Sequence, residues 1–129
     1  MVSDGERCPC GSGAQYGDCC GPLHHGAAAA TALALMRSRY SAFALELPDY
    51  LAATWHPSTR PGELELDEDT DWRRLQIVDT SGGRPADTEG TVWFRAAYRS
   101  SAGAGVLEER SRFVRHEGRW VYLDGDVLG

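Results

Sequence analysis

The residues of this sequence with the clearest chemistry are four cysteines crowded into thirteen positions. They form two close pairs, Cys8 with Cys10 and Cys19 with Cys20, on either side of a Gly-Ser-Gly turn at residues 11–13. Thiolate sulfurs hold Zn²⁺ at tetrahedral corners about 2.3 Å from the metal, and glycines let the chain bend sharply enough to bring two pairs together. The spacing therefore predicts one structural Zn²⁺ ion bound by four thiolates.

Other interpretations of the cysteine cluster stay open in the sequence. Two disulfides would have to close strained rings between adjacent or next-nearest cysteines, and four unliganded thiols would prefer apolar surroundings that this segment lacks. Metal binding is therefore favoured. His24 or His25 could replace Cys20 as the fourth ligand, because an imidazole nitrogen is also a common zinc ligand. A catalytic zinc is disfavoured, since catalytic sites usually keep one position open for water and four thiolates leave none.

A helix predicted to begin after Thr31 carries a charged residue on its apolar side. Thr31 is a suitable N-cap residue, and apolar side chains then recur every three or four positions. These residues are Leu33, Met36, Tyr40, Phe43 and Leu47. At about 100° per residue, Arg37 falls on the same side as this stripe, whereas Arg39 points elsewhere. A second short helix is predicted from residue 48 to about residue 55.

After an acidic loop at residues 63–71, the pattern changes to short strands separated by glycine-containing turns. The strands are predicted at residues 72–79, 91–98, 106–115 and 119–123, with turns at residues 82–83, 103–105 and 117–118. Helices followed by consecutive strands favour an α+β fold with an antiparallel sheet. In the third strand Glu109 and Ser111 share a face with Leu107 and Phe113, so two polar residues interrupt an apolar face.

These unexpected polar residues have two explanations. In the first, Arg37 and Glu109 form a buried ion pair that fixes the helix on the sheet, since a buried charge needs a partner. In the second, they line a polar pocket in which Arg37 holds an anion, and Glu109, His56 and Tyr40 exchange protons. The candidate ligand-binding residues are Arg37, Tyr40, His56, Glu109 and Ser111.

Two resemblances to known families agree with these inferences. Residues 8–21, CPCGSGAQYGDCCG, resemble the SEC-C motif, a small zinc-binding element of many bacterial proteins, and this implies zinc ligation by the same four cysteines. The segments LMRSRYSAF (35–43), TWHPS (54–58), ERSRF (109–113) and GRWVYLDG (118–125) are similar to the YchJ-type proteins of the UPF0225 family. That resemblance implies a SEC-C element joined to an NTF2-like domain, a curved antiparallel sheet that N-terminal helices wrap into a cone.

The composition argues against several classes of partner. The formal net charge is −6, whereas nucleic acids and anionic membrane surfaces attract cationic proteins. No apolar run approaches the roughly 20 residues of a membrane span, and the polar N-terminal residues lack the apolar part of a secretion signal. We therefore expect a cytoplasmic protein whose reduced cysteines bind metal, with no nucleic-acid or membrane partner.

These inferences divide the chain into a zinc element at residues 1–26 and an NTF2-like domain at residues 27–129. The expected function is that of a zinc-binding module or adaptor, with a protein partner on the cysteine segment and a small polar ligand in the cone. The alternative is an NTF2-like isomerase, dehydratase or hydrolase that acts on a small polar molecule. The binding module is favoured because the sequence lacks a Gly-x-Ser-x-Gly elbow, a phosphate-binding loop and a His-Glu-x-x-His motif.

Overall fold

The computed structural model describes residues 2–128 and has the α+β class expected from the sequence. The elements in chain order are a 3₁₀ turn (Tyr16–Asp18), α1 (Cys20–His24), α2 (Ala32–Ala44), α3 (Pro48–Ala53), β1 (Asp71–Gly82), β2 (Glu89–Ser100), β3 (Gly103–His116) and β4 (Arg119–Val127). The two predicted helices and the four predicted strands are confirmed, and each strand is longer than predicted. None of the described helices is long and apolar enough to cross a membrane.

The sheet is a meander in which β1, β2, β3 and β4 pair in chain order with antiparallel neighbours. The β3–β4 hairpin closes through a two-residue turn, in which Glu117 and Gly118 have φ angles of 51° and 83°. Left-handed backbone at both positions suits the twist of antiparallel strands, and glycine adopts it without strain. The turn predicted at residues 117–118 is confirmed.

The connection between β2 and β3 lies earlier than the sequence indicates. Its turn is formed by residues 101–102, so the expectation of a turn at residues 103–105 was wrong. Gly105 instead lies within β3, opposite Tyr98. A Cβ atom on Gly105 would lie 2.5 Å from the ring of Tyr98, so packing rather than turn geometry requires this glycine.

One face of the sheet forms the hydrophobic core. Val92, Phe94 and Ala96 of β2 are at most 5% exposed, and Phe113 of β3 is fully buried. The alternation predicted for β2 is confirmed, since Arg95 on its opposite face is exposed. Helix α2 covers the core face and contacts β1, β2 and β4.

Helix α2 is buried on more than one side. It begins as predicted, because the Thr31 hydroxyl accepts a 3.0 Å hydrogen bond from the Ala34 amide. The prediction that Arg37 lies on the buried stripe while Arg39 points elsewhere was wrong. Arg39 is only 4% exposed and lies against β4, whereas Arg37 is half-buried beside the cysteine segment. The reason is that the two arginines flank the stripe on opposite sides. Arg39 shares a face with Met36 and Phe43, whereas the N-terminal segment covers the side that carries Arg37.

Truncating Phe113 should measure how firmly β3 is packed. Phe113→Ala should lower the free energy of unfolding by about 3–5 kcal/mol, because a large buried side chain leaves a cavity behind. Val106→Ala, in the same strand, should change it by less than about 0.5 kcal/mol, since Val106 is 58% exposed. Urea unfolding followed by tryptophan fluorescence compares the two variants. Equal losses would show that β3 does not turn Phe113 inward.

Candidate metal centre and cone cavity

The four cysteine side chains come together at one point of the N-terminal segment. The sulfur atoms of Cys8, Cys10, Cys19 and Cys20 all lie within 4.8 Å of one another. The Cys10 and Cys19 sulfurs are 3.6 Å apart, and the Cys19 and Cys20 sulfurs are 3.9 Å apart. Tetrahedral bonds of about 2.3 Å place sulfur atoms about 3.8 Å apart. The cluster therefore has the dimensions of a site that could hold one metal ion.

Local turns allow the two cysteine pairs to approach. The Cys8 amide donates to the Ala14 carbonyl at 2.9 Å, and the Gly11 amide donates to the Cys8 carbonyl at 3.1 Å. Gly11 has a φ of 78°, in the left-handed region that favours glycine. At the second pair, a Cβ atom on Gly21 would lie 2.7 Å from the Tyr16 carbonyl oxygen. Both glycines are therefore needed for the chain to close around the sulfurs.

Helix α2 supplies polar groups around the sulfurs that were not predicted from the sequence at this position. The fully buried Ser41 hydroxyl lies 3.4 Å from the Cys20 sulfur and 3.6 Å from the Cys8 sulfur. The Arg37 guanidinium donates to the Cys10 carbonyl at 3.1 Å and lies 3.9 Å from the Cys10 sulfur. Such donors stabilise the negative charge that thiolates bring to a metal site. The spacing of four residues between Arg37 and Ser41, which puts them on one helix face, was the available signal.

Contacts within the cluster favour the ionised form of one cysteine. Hydrogen bonds from the Cys20 and Cys8 thiols lower the pKa of the Cys10 thiol far below its usual range. The Ser12 hydroxyl lies 3.2 Å from the Cys19 sulfur and adds a further polar contact. The hydrogen bond between Cys20 and Cys10 also raises the pKa of the Cys20 thiol, so these contacts favour one thiolate beside neutral thiols, and the thiolate is the form that binds metal.

His24, an alternative fourth ligand, has both ring nitrogens engaged elsewhere. Its Nδ1 lies 2.6 Å from the Tyr16 hydroxyl, and its Nε2 donates to the Ser38 carbonyl at 2.8 Å. Burial lowers the pKa of His24, which favours the neutral imidazole. His25 is exposed and lies outside the sulfur cluster. His24 therefore fastens α1 to α2, and the geometry favours Cys20 as the fourth ligand.

A cavity of about 200 Å³, the cone cavity, lies between α2, the segment after α3 and the core face of the sheet. Its lining residues are Met36, Arg39, Phe43, Trp55, Phe94, Leu107, Glu109, Ser111 and Tyr122. Glu109 and Ser111 are the two candidate ligand-binding residues that line it. Most of the lining is apolar or aromatic, so the few polar groups would decide the orientation of a bound molecule.

The other three candidate residues do not line the cone cavity. Arg37 is turned toward the cysteine cluster. Tyr40 packs edge-on against Trp72, with 6.2 Å between ring centres. His56 accepts a 3.0 Å hydrogen bond from the Ser58 amide through Nδ1. These side chains come from the expected elements but face other neighbours.

Arg39 occupies the place expected for Arg37. The predicted Arg37–Glu109 ion pair is wrong, because Arg37 lies on the cysteine side of α2 and Arg39 on the cavity side. The Arg39 guanidinium donates through Nη1 to the Leu51 carbonyl at 2.8 Å and to the Thr54 hydroxyl at 2.7 Å. Burial lowers the pKa of Arg39 to about 10, so its side chain remains a cation at neutral pH.

Aromatic rings and hydroxyl groups complete the polar end of the cone cavity. The Arg39 guanidinium lies over the rings of Tyr122 and Trp55, 4.8 Å and 5.2 Å from their centres. Glu109 Oε2 accepts hydrogen bonds from the Ser111 hydroxyl at 2.5 Å and from the Tyr122 hydroxyl at 3.2 Å. Burial first, and then the charge of Glu109, raises the pKa of Tyr122, which keeps its hydroxyl protonated. Trp55 and Tyr122 were not predicted from the sequence as cavity residues.

Family models and curated relatives match most of the chain. A model described as "YchJ, middle NTF2-like domain" matches residues 31–125, and the SEC-C motif matches residues 6–22. UPF0225 proteins of Corynebacterium glutamicum and Streptomyces coelicolor are 53% and 54% identical to this chain. These similarities cover 95% and 94% of this chain, and 98% and 95% of the two relatives.

Two solved structures have the same fold. The solution structure of a SEC-C motif containing protein from Rhodopseudomonas palustris has a TM-score of 0.80 and 36% identity, over 95% of this chain and 98% of that one. The crystal structure of a SEC-C motif containing protein from Psychrobacter arcticus has a TM-score of 0.79 and 29% identity, over 100% of this chain and 86% of that one. With its cysteine cluster beside a sheet covered by helices, this chain belongs to the UPF0225 family, in which a SEC-C motif accompanies a YchJ-type NTF2-like domain.

Proposed function

We propose that this protein binds one structural Zn²⁺ ion through its four cysteines and works as a binding module with the cone cavity as its ligand site. The observation that carries the proposal is the cluster of four sulfur atoms within 4.8 Å of one another. Four thiolates form a soft, closed ligand set that suits zinc and leaves no position for water. A structural role is therefore favoured over metal catalysis.

Helix α2 links the proposed zinc site to the proposed ligand site. Arg37 and Ser41 contact the cysteine cluster from one side of the helix. Met36, Arg39 and Phe43 line the cone cavity from the same helix. An ion that holds the N-terminal segment in place would therefore also stabilise one wall of the cavity.

The binding role is favoured over catalysis by the positions of the groups expected to move protons. Tyr40 and His56 were expected to exchange protons near Glu109, but neither lines the cone cavity. Inside the cavity, the Ser111 and Tyr122 hydroxyls both donate to Glu109. Their hydrogen bonds fix the carboxylate in place, as a binding site requires.

The adaptor part of the proposal concerns the outer side of the cysteine segment. Residues 3–7 and 11–13 are exposed there, next to the buried sulfur cluster. A metal ion would hold these short loops in one conformation, which lowers the entropic cost of binding a protein partner. We assign the docking of such a partner to this surface.

Metal analysis tests the identity of the ion. The purified protein should contain one zinc atom per chain, and X-ray absorption at the zinc edge should show four sulfur neighbours at about 2.3 Å. Two or more nitrogen neighbours would contradict ligation by four cysteines. If the protein contained iron instead of zinc, the assignment of zinc would be wrong, but the cysteine cluster would still be a metal site.

Substitution of the fourth ligand tests the coordination set. Cys20→Ser should remove the bound zinc and lower the free energy of unfolding by more than about 3 kcal/mol, because the metal then no longer favours the folded state. His25→Ala is the matched control, since His25 is exposed and lies outside the sulfur cluster. Zinc content and urea unfolding should be unchanged in the control. Zinc that persists in Cys20→Ser and is lost in His25→Ala would assign the fourth position to the histidine.

A further inference from the structure

Two opposite charges line the cone cavity without pairing. Arg39 is 4% exposed, and Glu109 is half-buried on the facing strand β3. The ion pairs formed within residues 2–128 do not join these two side chains to each other. A charge withdrawn from water lowers stability unless a partner compensates it. A molecule bound in the cavity between Arg39 and Glu109 would therefore interact favourably with both charged groups.

Each charged group keeps unused hydrogen-bonding capacity. Ser111 and Tyr122 both donate to Oε2 of Glu109, so its Oε1 accepts from no residue that the structure describes. Arg39 donates through Nη1, which leaves the hydrogens on Nε and Nη2 without an acceptor in the described part of the chain. The buried Nε1 of Trp55, whose ring lies under the guanidinium, is a further donor without a partner there. The cavity thus offers donors on one side and an acceptor on the other.

We propose that the cone cavity binds a small uncharged molecule that has an apolar ring, a hydrogen-bond acceptor for Arg39 and a hydrogen-bond donor for Glu109. This inference rests on the proposed binding role of the cone and specifies the chemistry of its ligand. A ring that carries a carboxamide has the required groups. Its carbonyl oxygen accepts from the guanidinium, and its N–H donates to the free oxygen of Glu109.

Charge balance and size select this class of ligand. Because one cation and one anion face the same space, a ligand with a net charge would meet a like charge on one side. Phe43, Phe94 and Leu107 supply apolar contact for a ring. A dry cavity of about 150 Å³ can hold benzene, so the cone cavity, at about 200 Å³, accommodates a ring with one small polar substituent.

Three probes with the same ring separate the contribution of the hydrogen-bond acceptor from that of the hydrogen-bond donor. At neutral pH benzamide has the acceptor and the donor, benzoate has only the acceptor, and benzylamine has only the donor. Each is titrated into the full-length, ¹⁵N-labelled, zinc-loaded protein while amide chemical shifts are recorded. Benzamide should bind with a Kd on the order of 1 mM and shift residues around Phe94 and Glu109. The other two probes should bind at least about tenfold more weakly.

A substitution at Glu109 tests the assignment of the acceptor. Glu109→Gln removes the charge but keeps the size of the side chain and an oxygen for Ser111 and Tyr122. It should bring the affinity for benzoate to within about threefold of that for benzamide, because the like charge is gone. Glu108→Gln is the matched control, since Glu108 lies on the other face of β3 and accepts from Trp93 Nε1 at 2.7 Å. The control should leave all three affinities unchanged.

The outcomes separate this inference from the proposed function. If none of the probes shifts the cavity residues, the inference is overturned, while the zinc site is judged independently by metal analysis. If a charged probe binds the wild type as tightly as benzamide, the ligand chemistry is wrong but the cone remains a binding site. If Glu108→Gln and Glu109→Gln changed the probe affinities equally, Glu109 would not be the hydrogen-bond acceptor of the site. The proposal is supported if the wild type binds benzamide selectively and if only Glu109→Gln changes that selectivity.

Discussion

Helix α2 has to satisfy two different neighbours at once, and the rest of the molecule depends on that constraint. One side lies against the cysteine cluster, where Ser41 is fully buried, and another lies on the sheet, where Met36 and Tyr40 are buried. A helix enclosed in this way cannot follow the single apolar stripe of a surface helix. Its buried serines are instead paired within the fold, as when the Ser38 hydroxyl donates to the Leu35 carbonyl at 2.7 Å.

The shared helix joins the N-terminal segment and the sheet into one core. Cys10 and Tyr16 belong to the same buried cluster as Leu35 and Phe113. The division of the chain after residue 26 stays a prediction, but side chains from both sides of it pack together. An ion at the cysteine cluster would therefore act on the packing of α2 as well as on the loops that hold it.

The interior contains polar groups of two kinds. Ser38 and Ser41 have partners within the chain and serve the packing of α2. Arg39 and Glu109 are only partly paired, although both belong to the cavity lining. Polar atoms of Arg39 and Glu109 without a partner in the described part of the chain are available to a bound molecule, and this distinguishes the proposed ligand site from the core. The two proposed sites differ accordingly, because the first would take a metal ion and the second a molecule that bridges opposite charges.

The sequence by itself determined the features that depend on near neighbours in the chain. The cysteine spacing, the helix start at Thr31, the four strands and the polar interruption at Glu109 and Ser111 were all predictable, because capping, alternation and ligand spacing act over a few residues. Only the tertiary structure decided which charged residue of α2 faces the cavity. Arg39 is buried, and Arg37 turned to the cysteines, because segments distant in the chain cover both sides of the helix. Periodicity within a helix carries no information about such distant partners, and for that reason the cavity lining could not be predicted in full.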